Sequence, residues 1–153
     1  ALQLLLLLGS HMYQGSCLCG LIKYELESDL KAVVNCHCGF CSKAHGAAFT
    51  TLLFVPLVNL AITEGKELLM SYHVENLNAD RCFCSKCGTR LYNSLPSLGR
   101  ANIVVATLTT DEILRPLAHV NTESKCTWYH INDELPQFLS SPSPDEFKEL
   151  LSN

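Results

Sequence analysis

The sequence predicts a mainly β protein built from short strands, with little helix. Three observations support this prediction. Apolar and polar residues alternate in short runs, those runs are rich in Val, Ile, Thr, Tyr and Phe, and residues typical of turns separate them. The chain has 153 residues, of which 48% are apolar, so it is long enough to bury one hydrophobic core.

The first predicted strand covers residues 21–26, where Ile22, Tyr24 and Leu26 fall on one face and charged residues on the other. Turn signals at Gly65 and Pro96 separate later strands. Further strands are predicted at residues 32–35, 47–55, 59–63, 68–74, 89–95, 101–108 and 127–131. In this pattern each cluster of cysteines falls at a strand end or in a turn.

One helix is predicted, in the C-terminal tail at residues 140–153. Ser143 and Glu146 have the spacing of a capping box, and Pro144 suits the first helical position. Apolar residues then recur at helical spacing, which indicates a short peripheral helix.

Charge and hydropathy exclude some classes of function. The formal net charge of −4 argues against a basic nucleic-acid-binding face. The leucine run at residues 4–8 is far shorter than the roughly 18 apolar residues of a membrane span, and no other stretch approaches that length. That run lacks a preceding basic residue, and residues 9–12, Gly-Ser-His-Met, have the sequence of a cloning scar. We interpret residues 1–12 as the remnant of an expression tag and expect a cytoplasmic protein that does not enter the membrane.

The nine cysteines are the most informative feature of the sequence. Their number is odd and most lie in tight clusters, whereas disulfide partners seldom lie two residues apart. Cys17 and Cys19 form one pair and Cys84 and Cys87 form another, and a glycine follows each pair. Two such pairs can supply the four thiolates of a closed tetrahedral zinc site. We therefore predict a structural zinc ion bound by these four residues.

The middle cluster is different because it offers three thiolates, from Cys36, Cys38 and Cys41. A tetrahedral ion bound by three protein ligands keeps a fourth position open, as catalytic zinc sites do. The alternatives are that His37, His45 or Cys82 supplies the fourth ligand and closes the site.

Two cysteines remain outside these clusters. Cys82 is interpreted as a residue of the core, with an additional metal ligand as the alternative. Cys126 has no cationic neighbour in sequence except Lys125, so it is interpreted as a packing residue rather than a nucleophile. The sequence thus predicts two zinc ions in a single zinc-binding β domain at residues 13–139.

The cysteine clusters, in their order along the chain, resemble those of the glutathione-dependent formaldehyde-activating enzyme family, which includes centromere protein V. The segments that carry the resemblance are Gly15-Ser-Cys-Leu-Cys-Gly20, Cys36-His-Cys-Gly-Phe-Cys41 with the following Ser42 to Ala47, Phe83-Cys-Ser-Lys-Cys-Gly-Thr89, Pro116-Leu-Ala-His119, and Trp128 with Asp133-Glu-Leu-Pro136.

This resemblance implies stacked antiparallel sheets of the β-tent type and the same division into a structural and a catalytic zinc site. It also implies carbon–sulfur lyase chemistry, in which glutathione and formaldehyde combine to S-hydroxymethylglutathione. The expected partners are therefore a small-molecule thiol and an aldehyde. A zinc-stabilised binding or interaction module without catalysis is the alternative.

The sequence leaves the substrate-binding residues open. A tripeptide thiol needs cations for its carboxylates, and the candidates are Lys43, Arg81 and Arg100, although each residue type is more often a plain surface charge. Candidate proton carriers are His45, His119 and His130, although each is more typical of a structural histidine.

Overall fold

The computed structural model describes residues 10–153, which are mainly β. The leucine run at 4–8 and most of the expected tag lie outside the described residues. The strands are β1 His11–Ser16, β2 Lys23–Ser28, β3 Val33–Cys36, β4 Thr50–Pro56, β5 Leu60–Glu64, β6 Leu69–Val74, β7 Ala79–Cys84, β8 Arg90–Leu95, β9 Arg100–Val104, β10 Leu108–Thr109 and β11 His119–Val120. The helices are α1 Gly39–His45 and α2 Pro144–Ser152.

The described chain divides into two compact units. The first contains residues up to Leu30 together with Phe54–Glu112, and the second contains Lys31–Leu53 and Ile113–Asn153. This division does not test the predicted segments at 1–12, 13–139 and 140–153, which stay predictions. None of the described helices is long and apolar enough to cross a bilayer.

An antiparallel sheet of the first unit has the strand order β10-β1-β2-β5. β1 pairs with β2 from His11 opposite Ser28 to Ser16 opposite Lys23, so two residues assigned to the expected tag belong to a strand. The apolar face predicted for residues 21–26 is confirmed, because Ile22, Tyr24 and Leu26 are fully buried. The first cysteine pair directly follows β1 and is thereby attached to the edge of this core.

Four strands of the first unit pair in the order β9-β8-β7-β6, and neighbouring strands are antiparallel. The sequence pattern missed β7, because it contains Asp80 and Arg81 where a buried strand is expected to be apolar. Arg81 is nevertheless only 5% exposed. β7 ends at Cys84, so this strand delivers the second cysteine pair.

The second unit contains β3, β11 and the first four residues of β4, up to Leu53. β3 and β4 are antiparallel, with Cys36 opposite Thr50, whereas β11 runs parallel to β3, with Val120 opposite Cys36. All four residues of β3 are buried. β3 ends at Cys36 and α1 begins three residues later, so the middle cluster lies where the strand turns into the helix.

Several elements differ from the sequence predictions. The strand predicted at 127–131 is wrong, because this segment forms a turn. Lys125 Nζ donates to the carbonyl oxygens of Cys126 and Tyr129 at 3.1 and 2.5 Å, so the turn satisfies these acceptors without a neighbouring strand. The strand predicted at 101–108 is interrupted by a 3₁₀ turn at Val105–Thr107. The α1 helix was not predicted. The C-terminal helix is confirmed, with both bonds of its capping box present and no residue buried.

Candidate metal centres

The four cysteines predicted to form the closed site lie together in the first unit. The sulfur atoms of Cys17, Cys19, Cys84 and Cys87 are all within 4.8 Å of one another. Cys19 Sγ is 3.5 Å from Cys17 Sγ and 3.9 Å from Cys84 Sγ. Four sulfurs at about 2.3 Å from a tetrahedral zinc ion are about 3.8 Å apart, so the spacing fits this metal.

Hydrogen bonds to sulfur support the charge that such a site needs. The Ile22 amide donates to Cys17 Sγ at 3.3 Å, and Cys87 Sγ lies 3.1 Å from the Thr89 hydroxyl. The bond with Thr89 is the main cause that lowers the pKa of Cys87 to about 5. Gly20 and Gly88, which follow the two pairs, both have φ of 77°, a left-handed conformation that glycine adopts without strain. Hydrogen bonds therefore favour the thiolate form at Cys17 and Cys87.

The three cysteines of the middle cluster also lie together, in the second unit. The sulfur atoms of Cys36, Cys38 and Cys41 are within 4.8 Å of one another. Cys38 precedes α1, and its sulfur accepts a hydrogen bond from the Cys41 amide at 3.3 Å. Cys36 and Cys41 are buried, whereas Cys38 is partly exposed. Cys38 is therefore the most solvent-accessible of the three cysteines.

The electrostatics of this cluster favour a bound cation. The contacts of Cys41 with Cys36 and Cys38, followed by burial, raise the pKa of the Cys41 thiol far above its usual value. Three sulfurs this close together and largely buried cannot all ionise unless a positive charge lies between them. Zinc satisfies this requirement, and it is well suited to an all-thiolate donor set.

None of the three predicted alternatives supplies a fourth ligand within this group of described residues. The group of possible ligand atoms contains the three cysteines, without His37 or His45. His37 is fully buried and directs Nε2 toward His119 Nδ1, 2.7 Å away. The group does not include Cys82 either, which is buried with Sγ 3.7 Å from the Asp80 carbonyl oxygen.

The structure shows a chain of hydrogen bonds that the sequence did not predict, and it runs from the buried His37 and His119 to the exposed Asp133. His119 Nε2 lies 2.9 Å from an Asp133 oxygen, and His119 Nδ1 lies 2.7 Å from His37 Nε2. Since an ionised carboxylate only accepts hydrogen bonds, His119 donates to Asp133 from Nε2, and a neutral His119 then accepts from His37 at Nδ1. The bond with His119 is the main cause that holds the pKa of Asp133 below its usual value. This chain ties the residue between Cys36 and Cys38 to the 119–133 segment.

Aromatic rings complete the packing around His37. The centroids of the Phe49 and Tyr129 rings lie 5.0 and 6.1 Å from that of His37. Burial is the main cause that lowers the pKa of His37 to about 4, and the positive charge of Lys125 lowers it further. His37 is therefore neutral at physiological pH, which agrees with its single donated hydrogen bond.

The remaining candidates from the sequence lie in varied environments. Arg81 is buried in β7, and the Arg100 guanidinium lies 4.6 Å from the centroid of the Phe54 ring; both belong to the first unit. Lys43 is exposed on α1, and His130 is exposed after the 126–129 turn. Cys126 is half-buried. The structure joins none of these five described residues to a metal-ligand group.

One functional candidate was missed entirely. Asn121 donates from Nδ2 to Cys36 Sγ at 3.4 Å. No motif around Asn121 indicates this contact, because the two residues are brought together by the parallel pairing of β11 with β3.

The fold and the two cysteine clusters together define a mainly β protein with two candidate metal centres, whose donor sets are consistent with zinc. A family model described as glutathione-dependent formaldehyde-activating enzyme matches residues 12–124, and the chain belongs to this family. The resemblance noted from the cysteine segments is thus confirmed. The fold is also similar to the crystal structure of a protein from Rhodobacter sphaeroides, with a TM-score of 0.55 and 23% sequence identity over 65% of this chain and 89% of that one.

Proposed function

We propose that this protein is a zinc-dependent carbon–sulfur lyase-type enzyme that adds a thiol such as glutathione to a small aldehyde such as formaldehyde. The observation that carries the proposal is the contrast between the two clusters: four sulfurs in one and three in the other. In the proposal, both clusters hold zinc ions. The four-cysteine cluster serves folding and the three-cysteine cluster serves S-hydroxymethylglutathione formation.

The residues of the second unit have separate tasks in this proposal. Cys36, Cys38 and Cys41 hold the catalytic zinc ion, and the partial exposure of Cys38 leaves a side of the cluster open to substrate. When bound, zinc supplies a positive charge that favours the anionic form of an incoming thiol over its protonated form. Three thiolate ligands already donate charge, which favours thiol activation over strong polarisation of the aldehyde. The His37–His119–Asp133 chain holds the Cys36–Cys38 backbone in place.

The four-cysteine cluster takes no part in the proposed reaction. Its four cysteines come from the end of β1 and from the β7–β8 turn, so a metal ion there joins two parts of the first unit that are distant in sequence. Closing such a loop restricts the unfolded chain, and zinc binding to a closed cysteine site contributes directly to folding. We propose a cytoplasmic location, because nine free cysteines fit a reducing compartment.

The test compares two single substitutions with a matched control. Cys38→Ser removes a ligand of the proposed catalytic zinc, Cys84→Ser removes a ligand of the proposed structural zinc, and Cys126→Ser changes a cysteine outside both clusters. For each, we would measure zinc per chain, melting temperature, glutathione binding by calorimetry, and S-hydroxymethylglutathione exchange by NMR.

We expect Cys38→Ser to lose one zinc ion, glutathione binding and activity while it stays folded. Cys84→Ser should unfold or melt at a much lower temperature, and Cys126→Ser should retain both zinc ions and the activity. If Cys38→Ser unfolds like Cys84→Ser and the unchanged protein binds no glutathione, both metals are structural and the protein is a binding module.

A further inference from the structure

We propose that Asn121 is a positioning residue of the three-cysteine site, whose amide fixes the Cys36 sulfur and limits the charge that this sulfur donates to the metal. The inference rests on the proposed function, because it concerns the cluster proposed to bind the catalytic zinc ion. Its basis is the hydrogen bond from Asn121 Nδ2 to Cys36 Sγ, 3.4 Å long, between residues far apart in the chain.

Backbone pairing places Asn121 next to the sulfur. Val120 is opposite Cys36 in the parallel pair of β11 and β3, and the His37 amide donates to the Val120 carbonyl oxygen at 3.0 Å. Asn121 is the residue immediately after this pair. Its position relative to Cys36 is therefore set by strand register and not by a flexible loop.

The backbone conformation of Asn121 supports a specific use of its side chain. Asn121 has φ of 57° and ψ of 38°, a left-handed conformation that asparagine tolerates better than most residues. It precedes a 3₁₀ turn at Thr122–Ser124, yet its side chain makes no capping hydrogen bond to that turn. An asparagine that precedes a turn often hydrogen-bonds to that turn, whereas the Asn121 side chain bonds to Cys36 instead.

The hydrogen bond has a chemical consequence for a thiolate ligand. An N–H group directed at a buried sulfur stabilises the anionic form and withdraws part of its negative charge. Outer partners of this kind orient ligands and alter metal affinity, and their loss costs about 10- to 100-fold in affinity or activity. With three thiolates around one ion, a donor on Cys36 preserves positive charge at the metal for the incoming thiol.

Two substitutions test the effect of the Asn121 amide group separately from the effect of its backbone conformation. Asn121→Gly keeps the left-handed backbone accessible and removes the donor, whereas Asn121→Asp keeps the shape and replaces the donor with a carboxylate acceptor. Asn78→Gly is the matched control, because Asn78 is also left-handed, with φ of 45°, and is exposed outside both cysteine clusters.

The experiment uses the full chain loaded with Co²⁺, whose sulfur-to-metal charge-transfer absorption reports the charge on the ligand sulfurs. We expect Asn121→Gly to move this band to lower energy and to weaken binding of the second metal ion by about tenfold or more. Asn121→Asp should weaken it further, and Asn78→Gly should change neither. Melting temperature is recorded in parallel, and the aspartate variant supplies the measurement if the glycine variant unfolds.

The results separate this inference from the proposed function. If the unchanged protein binds two metal ions and glutathione, but Asn121→Gly and Asn121→Asp match Asn78→Gly in band energy and metal affinity, the role of Asn121 is refuted and the proposed function survives. If the unchanged protein binds only one metal ion or no glutathione, the proposed function fails first.

Discussion

Replacing His119 by alanine tests whether the His37–His119–Asp133 chain, in which both histidines are buried, is an essential part of the second unit. His119 is only 1% exposed, and its ring centroid lies 5.0 Å from that of His37 and 6.1 Å from that of Phe49. The substitution leaves the His37 Nε2–H donor buried without its acceptor, which costs about 1–3 kcal/mol. It also removes most of a closely packed ring, for which losses of about 2–4 kcal/mol are typical.

We therefore expect the free energy of unfolding to fall by about 3–7 kcal/mol in His119→Ala. Metal binding at the three-cysteine site should also weaken, because the hydrogen bond that holds His37 between Cys36 and Cys38 is lost. Urea unfolding of the zinc-loaded protein measures the first effect, and metal content after dialysis measures the second.

The matched control is His73→Ala, because His73 also bonds an aspartate, Asp80, at 2.7 Å. That pair lies at the surface, with side chains 48% and 37% exposed. Water can replace the lost partner there, so the control should cost no more than about 1 kcal/mol. If the two alanine substitutions lower stability equally, or if His119→Ala leaves metal content unchanged, the structural role assigned to the chain is wrong.

Three further predictions concern the framework around the sites. Gly15→Ala should destabilise the first unit by about 1–3 kcal/mol, because a Cβ atom there would lie 2.2 Å from the buried Tyr24 ring. A Cβ atom at Gly39 would meet no atom within 4 Å, so Gly39→Ala should be nearly neutral. Thermal unfolding of both variants tests this difference. Burial raises the pKa of Tyr24 to about 12, so the unfolded chain loses this proton first and stability should fall as the pH rises from about 10 toward 12. The fall should be smaller in Tyr24→Phe, and equal slopes in urea unfolding against pH would contradict the assignment. Ser143→Ala should weaken α2 by about 1 kcal/mol and increase its hydrogen exchange without changing core stability, since α2 buries no residue; a lower global stability would show that the helix does pack on the core.

Local chemistry explains which parts of the fold could be predicted from the sequence. Ile22, Tyr24 and Leu26 recur at every second residue, so this short segment alone was enough to predict a strand with one buried face. The cysteine groups were also predictable, because metal-ligand pairs are close in sequence. The C-terminal helix was predictable from its cap, which is formed by neighbouring residues.

The features that the sequence did not reveal depend on distant contacts or on competing local bonds. β7 contains a buried arginine, Arg81, whose burial no periodicity rule anticipates. The α1 helix begins inside a cysteine cluster, with the Cys38 sulfur accepting the bond that a serine or aspartate usually accepts. The contacts of Asn121 with Cys36 and of His119 with His37 arise from the pairing of β11 with β3, which joins segments more than eighty residues apart.

X-ray absorption at the zinc edge tests the central claim most directly, because it counts the sulfur atoms around each metal. Seven clustered cysteines shared between two zinc ions predict an average of about 3.5 sulfur neighbours per zinc, with a lighter atom completing one coordination shell. Adding glutathione should raise this average toward about four, as an external sulfur enters the second site. An average of four sulfurs before any thiol is added, or a single zinc ion per chain, would contradict the account.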